Sequence, residues 1–78
     1  MIVLEEMLAN IAKSIVDDPS SVVVNKTETD HSITLNLTVA PADMGKVIGK
    51  NGRIAKAIRI LIKSAAASLN KKVSVDIG

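Results

Sequence analysis

The clearest periodicity in the chain lies in residues 32–39, where apolar and polar side chains alternate. A period of two is typical of a β-strand with one dry face and one wet face. We therefore expect a sheet that is covered on one side only, with this strand ending before Pro41. The apolar positions of the strand are Ile33, Leu35, Leu37 and Val39.

Two other segments repeat their apolar residues at helical spacing. The first is predicted to end at Asp17-Asp18-Pro19, because proline cannot continue the helical hydrogen bonds. The second is predicted to start near Arg53 and to stop at Asn70. The apolar stripe of the first helix consists of Val3, Leu4, Met7, Leu8, Ile11, Ile15 and Val16. The stripe expected to be buried in the second consists of Ile54, Ile58, Leu61, Ile62, Ala65 and Leu69.

Shorter signals complete the order of elements. Val22-Val23-Val24 is predicted to begin a strand, and the polar segment Asn25–Asp30 to hold the turn after it. Asp43 is expected to cap a short helix that ends at Val47. Residues 73–77 alternate again and predict a last short strand. The two early strands can pair as an antiparallel hairpin, and the last strand can return parallel to them after two helices.

A turn bounded by glycines, Gly49-Lys50-Asn51-Gly52, separates the last two helices. Glycine has no Cβ, so its backbone can take positive φ and approach another molecule closely. A phosphate at this turn would meet backbone N–H groups, the start of a helix and a lysine together. The alternative is structural: Gly49 is then only a C-cap, and Lys50 and Asn51 are solvated turn residues.

The net charge of +2 hides an uneven distribution of charged residues. Residues 1–40 carry two basic and six acidic side chains, whereas residues 41–78 carry eight basic and two acidic ones. A basic half of this kind is typical of proteins that bind polyanions, although a solvated charged surface is the alternative.

Several classes of function are disfavoured by the residues that the chain lacks. Without cysteine there is no disulfide or thiolate metal site, and without aromatic residues there is no base-stacking platform. The single histidine, His31, is expected to be a surface residue rather than a general base, and no catalytic constellation accompanies it. The segment from Gly45 to Asn51 superficially resembles a phosphate-binding P-loop, but its glycine spacing is one residue short. We expect no enzymatic activity, no cofactor and no metal.

The hydropathy pattern also bears on location. No apolar run approaches the roughly 18 residues of a membrane span, and the N-terminus lacks the basic region of a signal peptide. We therefore expect a cytoplasmic protein, with residues 1–78 forming one domain.

The segment from Val47 to Arg59 resembles the core of a KH domain, whose G-x-x-G loop clamps the backbone of about four nucleotides. The element order resembles the type II KH arrangement, α-β-β-α-α-β. This is an α+β fold in which three helices pack on one face of a three-stranded mixed sheet. From Val3 to Ile77 the chain is similar to the small bacterial KhpA-type RNA-binding proteins.

The resemblance implies non-catalytic binding of single-stranded RNA along the loop, and the absence of aromatic residues for base stacking predicts that this binding is weak and of low specificity. Val47, Ile48, Ile54 and the Ile33–Leu35 strand are expected to line an apolar floor for the bases, although each also fits a core position. Arg59 and Lys63 either reach phosphates or are plain surface charge. The RNA-binding residues expected from the resemblance are Lys46, Val47, Ile48, Gly49, Lys50, Asn51, Gly52, Arg53, Ile54 and Lys56.

Partners are implied by the same resemblance: a second copy of the chain, or KhpB, a larger Jag-type protein with its own KH domain. It also implies RNA chaperone-like regulation linked to cell-wall synthesis and cell shape. Ala65-Ala66-Ala67 either admits a partner helix or packs within the molecule. The alternative function is a protein-binding or ribosome-associated structural module with little affinity for free RNA. Its contact surface would be the acidic side chains Glu5, Glu6, Asp17 and Asp18.

Overall fold

The alternating segment forms the central strand of a three-stranded sheet in a computed structural model that describes residues 3–78. Strand β1 (Val23–Glu28) pairs antiparallel with β2 (Ser32–Thr38), and β2 pairs parallel with β3 (Lys72–Ile77). The predicted mixed sheet is thus confirmed. The first two residues of the expected domain lie outside the described range.

Three helices cover the apolar face of the sheet, which confirms the predicted α-β-β-α-α-β order. They are α1 (Leu4–Lys13), α2 (Met44–Ile48) and α3 (Arg53–Ala65). Their apolar side chains join those of β2 and β3 in one core. The largest fully buried side chains are Leu8, Leu35, Leu37, Val47, Ile58 and Ile62.

The boundaries of α1 and β1 differ from the prediction. Helix α1 ends at Lys13 rather than at Asp17, and the Ser14 hydroxyl donates a 2.6 Å hydrogen bond to the Ile11 carbonyl. Such local bonds offer the backbone an alternative to the helix. Strand β1 continues to Glu28, through residues predicted to form a turn. Polar side chains are tolerated there because β1 is an edge strand whose outer positions are exposed.

Helix α3 buries a narrower stripe than its periodicity predicted. Ile58 and Ile62 are buried as expected, but the side chains of Leu61 and Leu69 are 50% and 47% exposed. The helix ends at Ala65, and a short 3₁₀ turn follows before Asn70 terminates it at φ 59°. The expected burial of Leu61 and Leu69 was therefore wrong.

Asp43 does not cap α2, which contradicts the sequence prediction. Its carboxylate accepts hydrogen bonds from the backbone N–H groups of Asp17 and Asp18, at 3.3 and 3.1 Å. The Asp43 backbone is in the α-region, whereas a capping residue usually has extended dihedrals that direct its side chain back to the helix. Asp43 is only 3% exposed, so it fixes the segment after α1 against the start of α2.

Candidate nucleic-acid interface

The turn between α2 and α3 has positive φ at three of its four residues. The φ angles are 75° at Gly49, 57° at Asn51 and 74° at Gly52. The Gly49 N–H donates to the Gly45 carbonyl at 2.9 Å, and the Gly52 N–H donates to the Gly49 carbonyl at 3.1 Å. Gly49 is therefore both the C-cap of α2 and the first residue of the turn.

The two glycines face different surroundings. A Cβ placed on Gly49 would lie 2.6 Å from the Ile54 Cγ1 atom, well inside contact distance. A Cβ placed on Gly52 would have no neighbour within 4 Å. Gly49 thus packs against the first turn of α3, whereas Gly52 borders open space from which a ligand can approach.

The unpaired donors of the turn are the amides of its two central residues. Within residues 3–78, the backbone N–H groups of Lys50 and Asn51 have no hydrogen-bond acceptor. The Gly49 N–H donates to α2 and the Gly52 N–H donates within the turn, so the glycines shape the site rather than supply its donors. Helix α3 is 13 residues long and begins directly after Gly52, so its positive dipole end adds to the same site.

The basic residues around the turn divide into two groups. Lys50, Arg53 and Lys56 are exposed, and none of them forms an ion pair within the described part of the chain. Lys46 instead binds the Asp17 carboxylate, and its Nζ atom lies 3.9 Å from the Asp43 Oδ1 atom. The hydrogen bond to Asp17 raises the pKa of Lys46. A phosphate would have to compete with Asp17 for Lys46.

The apolar residues expected to line a floor are also divided. Val47 and Leu35 have no exposed surface, and Ile33 is 4% exposed, so these three belong to the core. Ile48 is 37% exposed and Ile54 is partly buried against the core. Of the residues expected to form the floor, Ile48 and Ile54 therefore keep apolar surface beside the turn.

Arg59 makes a contact that the sequence left open. Its Nε atom donates a 3.1 Å hydrogen bond to the Val75 carbonyl on the outer edge of β3. This residue therefore joins α3 to the sheet instead of lying free on the surface.

The carboxylate contacts of Asp43 were missed by sequence reasoning. Its two partners precede it by 26 and 25 residues, and no local pattern indicates a contact over that separation. An aspartate before a short helix is normally interpreted as a cap.

Residues 3–78 contain no group of three or more histidine, cysteine or acidic side chains arranged to hold a metal ion. No helix among them is long and apolar enough to cross a membrane.

Comparison with known proteins gives consistent matches. The KH-domain model of the KhpA/KhpB family matches residues 5–77. The RNA-binding protein KhpA of Clostridium acetobutylicum is 57% identical over 74 residues, which cover 95% of this chain and 99% of that protein. KhpA of Caldanaerobacter subterraneus is 54% identical over 72 residues, which cover 92% and 96% of the two chains. KhpA of Listeria monocytogenes is 47% identical over 74 residues, covering 95% and 97%.

Solved structures share the fold at lower identity. Aquifex aeolicus Era bound to GDP·AlF₄⁻ superposes with a TM-score of 0.68 and 19% identity, covering 95% of this chain but 29% of Era. Era in complex with MgGDPNP and nucleotides 1506–1542 of 16S ribosomal RNA gives a TM-score of 0.69 and 16% identity, covering 96% and 30%. The chain thus spans under a third of these proteins, and the likeness supports the fold alone.

Proposed function

The chain belongs to the KhpA/KhpB family of KH domains, and we propose that it binds single-stranded RNA through the turn Gly49–Gly52. Its relatives are named as RNA-binding proteins, and membership of this family confirms the prediction that the chain is not an enzyme. We also propose that residues 1–78 form one KH domain.

The observation that carries the proposal is the coincidence of unpaired amides and unpaired cations at one exposed turn. The N–H groups of Lys50 and Asn51 lie between two backbone segments of positive φ, next to the N-terminus of α3. A phosphate oxygen can accept from these amides, and the ammonium of Lys50 stabilises its charge. Arg53 and Lys56 follow on α3 and extend the positive surface along the RNA strand.

The remaining site residues have supporting roles in this proposal. Gly49 and Gly52 permit the turn, and buried Val47 fixes α2 against the core so that Ile48 stays beside the turn. Ile48 and Ile54 then provide a small apolar contact for a base. Lys46 contributes only when a phosphate displaces the Asp17 carboxylate.

The test is the double substitution Lys50→Asp with Asn51→Asp, which places two carboxylates where the phosphate is expected. We expect RNA binding to be lost in fluorescence polarisation, with an unchanged circular dichroism spectrum and melting temperature. For the unmodified protein, contact with three or four phosphates predicts that log K falls with log[salt] at a slope of about −2 to −3.

Asn10→Asp with Lys13→Asp is the matched control, since it makes the same charge change on the exposed face of α1. This variant should retain most of the RNA affinity. Retained binding by the loop variant, or a salt slope near zero, would refute the assignment of the loop.

We also propose a partner surface on α3, where Ile60 and Leu61 are 58% and 50% exposed. A single KH domain binds RNA weakly, and a second linked domain increases avidity without new contacts. A homodimer, or a complex with a KhpB-type protein, would use this surface. Of the alanine run Ala65-Ala66-Ala67, Ala66 is only 2% exposed and Ala65 packs against the core, whereas Ala67 is exposed.

The broader role follows from the family resemblance. We propose that the protein acts in the cytoplasm as an RNA chaperone-like regulator connected with cell-wall synthesis and cell shape. The alternative, a protein-binding module with an acidic contact surface, is weakened by the use of those carboxylates within the molecule. Glu5 pairs with Lys26, Asp17 pairs with Lys46, and the Asp18 carboxylate accepts bonds from two serines. RNA crosslinking in cells separates the two functions.

A further inference from the structure

A second concave site lies at the opposite end of α3 from the loop. It is a cavity of about 270 Å³ between the C-terminal part of α3, the turn after it and the start of β3. Its wall contains Lys63, Lys71 and Lys72 together with Ser74, and its floor is apolar. Nothing in the proposed contact at the loop uses this cavity.

The cavity exists because of where α3 is attached to the sheet and which residues follow. Arg59 closes the gap between α3 and β3 through its hydrogen bond to the Val75 carbonyl. Directly after α3 come Ala66 and Ala67, whose side chains are too short to fill the space. A recess therefore remains between the helix end and the edge strand.

The charges around the recess favour an anion. Lys63 and Lys72 form no ion pair with any carboxylate of residues 3–78. Lys71 donates to the Glu28 carboxylate at 2.5 Å and to the Thr29 carbonyl at 3.1 Å, so its charge is already paired with that of Glu28. Ser74 adds a hydroxyl that can donate to the anion.

The size of the cavity is compatible with a small anion. Its volume of about 270 Å³ lies just below the range of roughly 300–1,000 Å³ that is typical of small-molecule sites, and a phosphate group fits within it. Two ammonium groups and a hydroxyl are suited to phosphate oxygens.

Basic side chains along α3 lie between the loop and the cavity. Lys56 and Lys63 are separated by seven residues, about 10.5 Å along one face of the helix. The basic flank of α3 thus leads from the loop to the recess. We propose that the recess binds a phosphate of the same RNA strand, beyond the roughly four nucleotides that a KH loop takes. This inference rests on the proposed RNA binding at the loop.

The test compares two oligoribonucleotides of mixed sequence, one of about four nucleotides and one of about ten. Ala67→Leu fills the recess without a change in charge, and Lys63→Gln and Lys72→Gln each remove one cation. Each variant should bind the shorter RNA normally and the longer RNA about three- to tenfold more weakly. The salt slope for the longer RNA should also become less steep by about 0.7, equivalent to one phosphate.

Lys13→Gln on α1 is the control, because it removes the same charge away from the recess. Its affinity for both RNAs should stay unchanged. Part of the higher affinity for the longer RNA is statistical, since a longer strand offers more binding registers. This part of the affinity difference should persist in all variants.

Three results would each overturn the inference. Lys13→Gln and Lys63→Gln could lower the affinity for the longer RNA equally, or Ala67→Leu could bind the longer RNA normally. The third is that the NMR signals of the recess residues respond to inorganic phosphate but not to RNA. A failure of the proposed function would look different: the variant with Lys50→Asp and Asn51→Asp would then still bind the shorter RNA.

Discussion

At the scale of single residues, the three loop positions with positive φ differ in which side chains their backbone and surroundings allow. Gly49, at φ 75° and ψ 174°, is in a region that only glycine adopts easily, and it also contacts Ile54. Asn51 has left-handed dihedrals that asparagine tolerates better than most residues. Gly52 has left-handed dihedrals and open space around it. The two glycines should therefore differ in their sensitivity to substitution.

We expect Gly49→Ala to lower the free energy of unfolding by about 2–4 kcal/mol, because backbone strain adds to the collision with Ile54. Gly52→Ala should cost only about 1–2 kcal/mol, since it brings left-handed strain alone. Urea denaturation followed by circular dichroism measures both.

Gly45→Ala is the control, because Gly45 lies within α2 with no atom near its Cβ position. Alanine there should stabilise the protein by about 0.5–1 kcal/mol through helix propensity. Equal losses for Gly49→Ala and Gly52→Ala would show that the Ile54 contact contributes nothing.

At the scale of elements, an ion pair connects the hairpin with β3. Glu28, at the end of β1, accepts from Lys71, which precedes β3, and it also lies 3.4 Å from Lys26. The Lys71 hydrogen bond, assisted by its charge and by Lys26, lowers the pKa of Glu28 below its ordinary value of 4.5. Two serine hydroxyls similarly lower the pKa of Asp18.

A carboxyl group with a lowered pKa stabilises the fold above its ordinary pKa, and this contribution is lost as the pH falls through the folded value. The melting temperature should therefore fall as the pH drops below about 4.5, and Lys71→Gln should make this fall shallower. Thermal unfolding between neutral and acid pH measures the difference. Lys72→Gln, at the neighbouring position without an ion pair, should keep the original pH dependence. Identical curves for both variants would exclude the Glu28–Lys71 contribution.

At the scale of the whole molecule, ion pairing decides which cations face solvent. The pairs Asp17–Lys46 and Glu28–Lys71 join the acidic first half of the chain to the basic second half. The cations that remain without an ion pair in residues 3–78 include those beside the loop and along α3. Helix α3 also carries the exposed apolar residues Ile60 and Leu61.

If that apolar surface holds a second copy, replacing both Ile60 and Leu61 by glutamine should shift the protein from dimer to monomer in sedimentation. Binding of a single short RNA should persist, whereas avidity for long RNA should decrease. Val23→Gln is the control, because Val23 is 49% exposed on the sheet. A monomeric unmodified protein at high concentration would contradict self-association.

The order of the elements and the place of the loop could be predicted from the chain because they depend on local patterns. Alternation specified β2, helical spacing specified α1 and α3, and two glycines marked the turn between α2 and α3. Such signals involve residues within a few positions of one another, so the chain alone is sufficient.

The burial of individual side chains and their long-range polar contacts could be determined only from the folded molecule. Periodicity indicates which side chains share a face, but the neighbouring elements determine how much of it is covered, and they leave Leu61 exposed while enclosing Val47. The contacts of Asp43 and Lys46 bring together residues more than 20 positions apart. Only packing in three dimensions creates these contacts, and the Lys46 contact determines which cations beside the loop can meet a ligand.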